Sequence, residues 1–495
     1  MERYDVLVLG SGYSGCAAAI AAKESGRSVA VLEKAPHTGG ISICSAGGVR
    51  VAKDEDDAFA YLKATNGGKT PDDVQRVLAR GMCSLEAAVK DLGKGTGASI
   101  NYHYAPGNYP LPGFKTFGFV TVDEVPGLDL EREFPYVKGN KPQGARLYYL
   151  LQKRVRELDI PVLTNSGAAA LVRENGRVCG VRTADGREFR GARKVILACG
   201  GFEAAPEVQD QFWPGGMAYS AAFKYNTGDG LRLAMGAGAD IWHMWHFHGC
   251  YGFAPPRPDY PYGVHIKRLP DWIPGEDCSH LPKMSWILLD QRGKRFTNEY
   301  QPYTHDTGAR DLAVFDPATQ TYPRNPCWMV TDAAGLAMYP LGKPLYNDES
   351  VSMDWSADNR AEVANGWIRE AATQADLADA AGLPEAAVRT SIARWNEFCR
   401  RQNDEDFSRP SMTMHPLLEP PYYTAPMVRV VTNTQGGPRR DTRQRVLTPE
   451  RTPVPGLYAV GECGSTFGHL YLIGGNLAEC FISGGIAGRD DEDRP

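Results

Sequence analysis

The sequence predicts an α/β protein of two domains, a doubly wound nucleotide-binding type of domain interrupted by an inserted α+β domain. Three observations carry this expectation. A strand–turn–helix–strand unit opens the chain. A buried strand closing on an acid returns several hundred residues later, and an interval of helical periodicity with proline-rich connections lies between.

The opening unit spans about thirty residues, the size of a dinucleotide half-fold. Residues 4–9, Tyr-Asp-Val-Leu-Val-Leu, form a short apolar run, the pattern of a strand buried on both faces. Gly10-Ser-Gly12-Tyr-Ser-Gly15 follows at once. Residues 16–22 are small and apolar, suited to a helix packed close on a sheet, and Gly26 ends it. Residues 28–32 give a second buried strand, which closes on Glu33. A GxGxxG alone is weak; a strand before it, a helix after it and an acid at the end of the second strand make it a dinucleotide signature. The glycines admit a pyrophosphate close to the backbone, and the helix N-terminus offers it free N–H groups and a positive dipole end. Glu33 is placed to accept hydrogen bonds from ribose hydroxyls.

The next segments point to FAD rather than NAD. Thr38-Gly39-Gly40-Ile-Ser42 and Ser45-Ala-Gly47-Gly48 extend the glycine-rich loop far beyond a simple NAD site. Val195-Ile-Leu-Ala-Cys-Gly200-Gly-Phe-Glu203 is another buried strand, preceded by a hairpin pattern over 177–190. Gly456-Leu-Tyr-Ala-Val-Gly-Glu462 is the late strand with its acid. The expected domains are therefore 1–270 and 410–495 for the cofactor, with 271–409 as a cap over it.

Composition excludes several classes. Apolar residues at 42% and charged residues at 23% are the mix of a folded chain, not a disordered one. No stretch approaches the ~18 apolar residues of a membrane span. A net charge of -5 argues against a nucleic-acid surface. The chain enters its first strand within a few residues, with no secretory pattern. The 11 cysteines have no CxxC spacing, which reads as reduced thiols in a cytoplasmic protein. His243, His246, His248 and Cys250 do not make a closed metal set, and no metal is expected.

The set Gly10/Gly12/Gly15/Glu33, Thr38-Gly-Gly40, Thr227-Gly-Asp229-Gly230, Arg295-Phe-Thr-Asn-Glu299, Asn433-Thr-Gln-Gly-Gly437 and Gly474-Gly-Asn476 resembles the fumarate reductase and 3-ketosteroid dehydrogenase family of flavoproteins. The six motifs occur in the family's order across nearly the whole chain. The resemblance implies a Rossmann-like domain binding FAD noncovalently, built from both chain ends, and a catalytic cap. It implies FAD contacts at Gly10, Gly12, Ser14, Gly15, Glu33, Lys34, Thr38, Gly39, Gly40, Ser42, Gly47, Gly48, Ala169, Gly200, Thr227, Asp229, Gly230, Glu462, Gly474, Asn476 and Leu477.

The dicarboxylate-holding positions of fumarate reductases fall here on Tyr303, Asn433 and Leu472, none of them a cation. Fumarate and succinate are therefore rejected as substrates. The Pro302-Tyr303 pair, and Gly468-His469-Leu-Tyr471 followed by Gly475, are instead similar to the ketone desaturases of the family. Glu462 departs toward the fumarate reductases, where the desaturases often carry Asn.

That pattern implies removal of two hydrogens from adjacent carbons of a cyclic ketone. Tyr471 O–H and the Gly475 N–H would donate to the carbonyl oxygen as an oxyanion hole. Tyr303 would take the α proton, and a phenol of pKa ~10 needs a relay or a lowered pKa to do so. His305, Tyr300, Tyr102, Tyr104 and Tyr109 are the relay candidates. The substrate would be a 3-ketosteroid or a smaller alicyclic ketone such as 4-oxocyclohexanecarboxylate, whose acid group would need one of Arg310, Arg439 or Arg440. An external acceptor, namely oxygen, a quinone or a redox carrier, would take the electrons. The alternative is an ene reductase working in the opposite direction.

Overall fold

The computed structural model describes residues 2–216 and 218–491. β1 (Glu2–Leu9) lies inside a parallel sheet, between β2 (Val29–Leu32) and the strand Glu188–Leu197. Flanked on both sides and covered on both faces, Val6–Leu9 is wholly buried, which is why its sequence shows no alternation. Beyond Glu188–Leu197 comes the late strand, Pro453–Ala459, parallel to it with Val195 opposite Leu457. Beyond β2 comes the short strand Val162–Leu163. Among the described residues the sheet has eight strands, the hairpin Arg177–Thr183/Glu188–Leu197 and Ala168–Glu174 extending one side.

α1 (Tyr13–Glu24) carries a run of buried alanines from Ala17 to Ala22. They let it press against the terminal helix Gly475–Arg489, itself rich in small residues. A β-carbon at Gly484 would stand 2.6 Å from the Ser14 carbonyl oxygen, so the two backbones touch where that glycine sits.

The inserted unit is built on a second eight-stranded sheet among the described residues. Its long central strand, Tyr422–Thr434, pairs antiparallel with Phe247–Phe253 on one side and Cys327–Asp332 on the other. Gln374–Ala381 and Glu385–Arg401 cover one face, where Leu377, Val388, Ile392 and Trp395 meet Ile287, Leu289 and Val330. These two helices separate at Gly382, whose φ of +67° suits glycine, and Pro384 stands at the N-cap of the second. The helical interval over 271–409 holds only part of this unit. Tyr422–Thr434 and Phe247–Phe253 lie outside it on either side, so we draw the inserted domain wider than 271–409. No helix among the described residues is long and apolar enough to cross a membrane.

Candidate active site

A cleft opens at the carboxyl ends of β1, β2 and Glu188–Leu197. This is where open parallel sheets take ligands. Gly10, Gly12, Ser14, Glu33, Lys34, Gly40, Ser42, Gly200, Asp229 and Glu462 line it. The turn after β1 tolerates only glycine: Gly10 has φ +106°, and a β-carbon there would overlap the Ala198 carbonyl. A β-carbon at Gly15 would in turn overlap the Gly10 carbonyl. Glu33 accepts from the Ser11 N–H at 2.9 Å, the Ser11 hydroxyl at 2.7 Å and the Ala35 N–H at 2.8 Å, which fixes its carboxylate at the cleft wall. Lys34 donates to Thr227 Oγ1 at 2.6 Å and pairs with Asp229 at 2.8 Å. The Thr227-Gly-Asp229 motif is thereby tied to the end of β2.

Other expected contact residues stand elsewhere. Ala169 is exposed on the strand Ala168–Glu174, and its neighbours Gly167 and Ala168 line the cleft instead; the alternation of a strand turns one residue away for each it turns in. Thr38 and Gly39 stand behind the lining. The Thr38 and Gly40 carbonyls accept from the Asn347 amide, and Gly39 meets Ile43. Gly47 and Gly48 abut the 143–144 backbone and the Phe119 ring, and Gly230 abuts Cys463. Ser11, Cys199 and Asn226 line the cleft without having been singled out in the sequence. Ser11 lies within the glycine turn and Asn226 directly precedes Thr227-Gly-Asp229, so motif adjacency was the available signal.

At the other end of the site, Gly474, Asn476 and Leu477 start the terminal helix beside Tyr471. Tyr471 is buried, its ring 4.3 Å from His248 and 5.3 Å from Phe467. Its hydroxyl accepts the Asn476 N–H at 3.2 Å, which leaves the phenolic proton free to be donated. The Gly475 N–H is taken by the Leu472 carbonyl at 2.6 Å. The expected pair of donors is therefore one donor, Tyr471, in this structure. Glycine at 475 has a steric reason, since a β-carbon would overlap the Phe467 ring.

Tyr303 is half-buried, its ring 4.7 Å from Tyr109. Burial pushes its hydroxyl up, with Asp271 and Glu276 adding to the shift. Asp306, three residues on, accepts the Tyr471 N–H at 3.4 Å and so joins the two tyrosine segments. Burial raises Asp306 to about 7, against the pull of Arg310 and the Tyr471 N–H.

The relay candidates separate by place. Tyr104 is 62% exposed, and Tyr102 lies under Lys53. Tyr300 packs in the core of the inserted domain, and His305 faces the Leu269 carbonyl at 3.2 Å. Tyr109 alone of the five touches the Tyr303 ring, and its buried hydroxyl has no partner. The histidines of 243–248 serve as wall: His243 and His246 face the Ser465 and Phe467 carbonyls, each at 2.8 Å, and His248 faces Asn433 at 3.2 Å.

Several buried polar groups of these segments are orphaned. Both amide atoms of Asn476 and Gln435, Nε2 of His248, Nδ2 of Asn433 and Oγ1 of Thr466 have no protein partner. Buried polar atoms call for partners, and the polar edge of an isoalloxazine ring offers them in kind. The glycine turn and the acid-free first turn of α1 fit the pyrophosphate of FAD in the cleft, and these orphaned groups are of the kind that its ring would satisfy.

The sequence model of the FAD binding domain family matches residues 5–477, and the chain belongs to that family. It is an FAD-dependent oxidoreductase. The chain is 27% identical to a 3-oxosteroid 1-dehydrogenase of Mycolicibacterium smegmatis, over 99% of this chain and 97% of that one. It is also 27% identical to a 4-oxocyclohexanecarboxylate 2-dehydrogenase of Sinomonas cyclohexanicum, over 99% and 94%. Its fold is similar to that of a 3-ketosteroid delta1-dehydrogenase from Sterolibacterium denitrificans solved with 1,4-androstadiene-3,17-dione, with a TM-score of 0.78 at 22% identity over 99% of each chain.

Proposed function

We propose that the protein desaturates a cyclic ketone next to its carbonyl, the substrate being a 3-ketosteroid or a smaller alicyclic ketone. The reading rests on one observation above all: Tyr471 keeps a free phenolic proton in the same hydrophobic cluster that the Tyr303–Tyr109 pair joins. Tyr471 donates to the substrate carbonyl and stabilises the charge that develops on its oxygen. The Asn476 N–H, at the positive end of the terminal helix, strengthens that donor. Tyr303 takes the proton from the α carbon. Burial raises the cost of a phenolate there, and the Tyr303 hydroxyl gives its own proton to bulk water at its exposed edge before it takes the α proton. Bound FAD supplies the acceptor for the β hydride. Gly10, Gly12, Ser14, Glu33, Lys34 and Glu462, which line the cleft, would hold it there, and the unpartnered amide of Asn476 would be available to it. The flavin is held noncovalently, and its electrons pass to an external acceptor.

The reverse reaction, reduction of an enone or enoate, is favoured only by Glu462. The lack of cations at Tyr303, Asn433 and Leu472 weighs against small dianions. For a substrate carrying one acid group, Arg310 is the candidate anchor, because Arg439 is paired with Asp240 and Arg440 with Glu479. Anaerobic mixing of the FAD-loaded protein with candidate ketones tests the reading. Bleaching of the flavin by a saturated cyclic ketone supports it. Bleaching only by external reductants, with reoxidation by enones, assigns the reductase instead.

A further inference from the structure

Glu203 and Glu462 come together at the backbone of Gly201. A β-carbon there would stand 2.5 Å from Glu462 Oε1 and 3.0 Å from Glu203 Oε2. Both carboxyls are buried, and Glu462 forms part of the cofactor cleft. Among the described residues no Lys, Arg or His side chain pairs with either acid. Glu462 Oε1 accepts the Thr434 N–H at 2.7 Å and its hydroxyl at 3.4 Å. Glu203 Oε1 accepts the Asn226 amide at 2.7 Å, and Glu203 Oε2 has no donor. The nearest further charge is Glu479 on the terminal helix. It is matched by Arg440, whose remaining bonds go to the carbonyls of Ala459 and Gly461.

Two ionised carboxylates in such a place would be buried, unpaired and mutually repulsive. A single proton removes the conflict. Placed on Glu203 Oε2, it turns the orphaned acceptor into a donor, and Glu462 is the acceptor within reach. We propose that Glu203 and Glu462 share one proton, carried by Glu203, and that this proton links folding and FAD retention to pH. Burial first, and then the neighbouring carboxylate, pushes Glu203 well above the ordinary glutamate range; burial also raises Glu462. The native protein therefore holds a proton that the unfolded chain has released. Stability from this source is complete below the ordinary glutamate range and is lost as pH rises toward the native value. Across that window the folding constant falls about tenfold per pH unit for one proton. Loss of the proton also sets a second negative charge beside a cofactor that carries a pyrophosphate.

Glu203→Gln imitates the protonated acid permanently. Its amide oxygen still accepts from Asn226, and its amide nitrogen donates to Glu462. Holoprotein of both forms is unfolded, and FAD dissociation is followed by flavin fluorescence, from about pH 6 to about pH 9. The wild type should lose stability and FAD affinity with rising pH more steeply than Glu203→Gln. At the alkaline end the variant should bind FAD about tenfold more tightly. Parallel curves for the two proteins would overturn the proposal. Should the variant fail to fold, infrared spectra decide in the Asp271→Asn/Asp306→Asn background, which removes the two other acids that burial raises. A protonated-carboxyl carbonyl band at neutral pH that bleaches with alkali supports the shared proton, and its absence refutes it.

Discussion

Replacing Tyr471 by Phe removes one oxygen atom and asks two separate questions of it. The ring keeps its place, because the contacts with His248 and Phe467 involve its faces and edges and not the hydroxyl. The first loss is catalytic. With the Gly475 N–H engaged by Leu472, Tyr471 is left as the donor we propose for the substrate oxygen. Removing such a donor costs ~2.7–4 kcal/mol of barrier, a fall of ~10²–10³-fold in the rate of flavin reduction. The second loss is structural. The Asn476 N–H, at the first turn of the terminal helix, loses its acceptor in a buried setting, which costs ~1–3 kcal/mol of stability. Stopped-flow flavin bleaching reads the first and denaturant unfolding of the holoprotein reads the second. FAD occupancy should be unchanged, since neither loss touches the pyrophosphate end of the cleft. A variant that is less stable but reduces its flavin within a few-fold of the wild-type rate would refute the donor role and leave Tyr471 a capping residue.

Four further outcomes are expected. Tyr303→Phe should abolish exchange of the substrate α proton with D₂O and slow flavin reduction ~10²–10⁴-fold while keeping FAD; exchange at the wild-type rate would move the base elsewhere. Glu33→Ala removes two hydrogen bonds from Ser11 in the turn after β1 and one from Ala35 after β2, and should weaken FAD binding by ~1.5–3 kcal/mol without changing which ketones are oxidised; equilibrium dialysis with unchanged affinity would contradict this. Denaturation should release the flavin intact, because His37, the histidine beside the first glycine loop and so the candidate for a covalent link, has its ring engaged by the Asn347 carbonyl and against Tyr136; flavin migrating with the denatured chain would contradict the noncovalent assignment. Asp306 is raised to about 7 by burial, so its native form keeps a proton that the unfolded chain releases, and wild-type stability should fall as pH rises toward that value; Asp306→Asn should flatten that slope by up to about 1.4 kcal/mol per pH unit in thermal unfolding, and an unchanged slope would refute it.

The parts of the site legible in the sequence are those where one backbone conformation leaves one residue type possible. Gly10 and Gly15 are fixed by direct contact with neighbouring carbonyls, so the turn announces itself in a single chain. β1 and the late strand were readable because strands buried on both faces need uninterrupted apolar runs. The sheet of the inserted domain was not. Phe247–Phe253 finds its partner in Tyr422–Thr434, far along the chain, and nothing local in either segment names the other. Ala168 and Ala169 differ only in the face of a strand they occupy, and three successive alanines hide that register. Glu203, six residues past the strand Glu188–Leu197, carries no local signal of its own. Its significance lies in Glu462, which only the parallel pairing of Glu188–Leu197 with Pro453–Ala459 brings alongside.

That same pairing sets an order of assembly. β1 leaves the ribosome long before its distant partners, and the sheet around it gains Pro453–Ala459, and α1 gains the helix Gly475–Arg489, only after the whole inserted domain has been made. Until then the groove for the adenylate has its floor but lacks the wall that carries Glu462 and the Tyr471 loop. The inserted domain must therefore mature while its host is still incomplete, with the long-range closure of the host as the slow, last step. Cofactor capture belongs to that step, so a chain halted or clipped before Pro453 is a half-built vessel that FAD can touch but not fill.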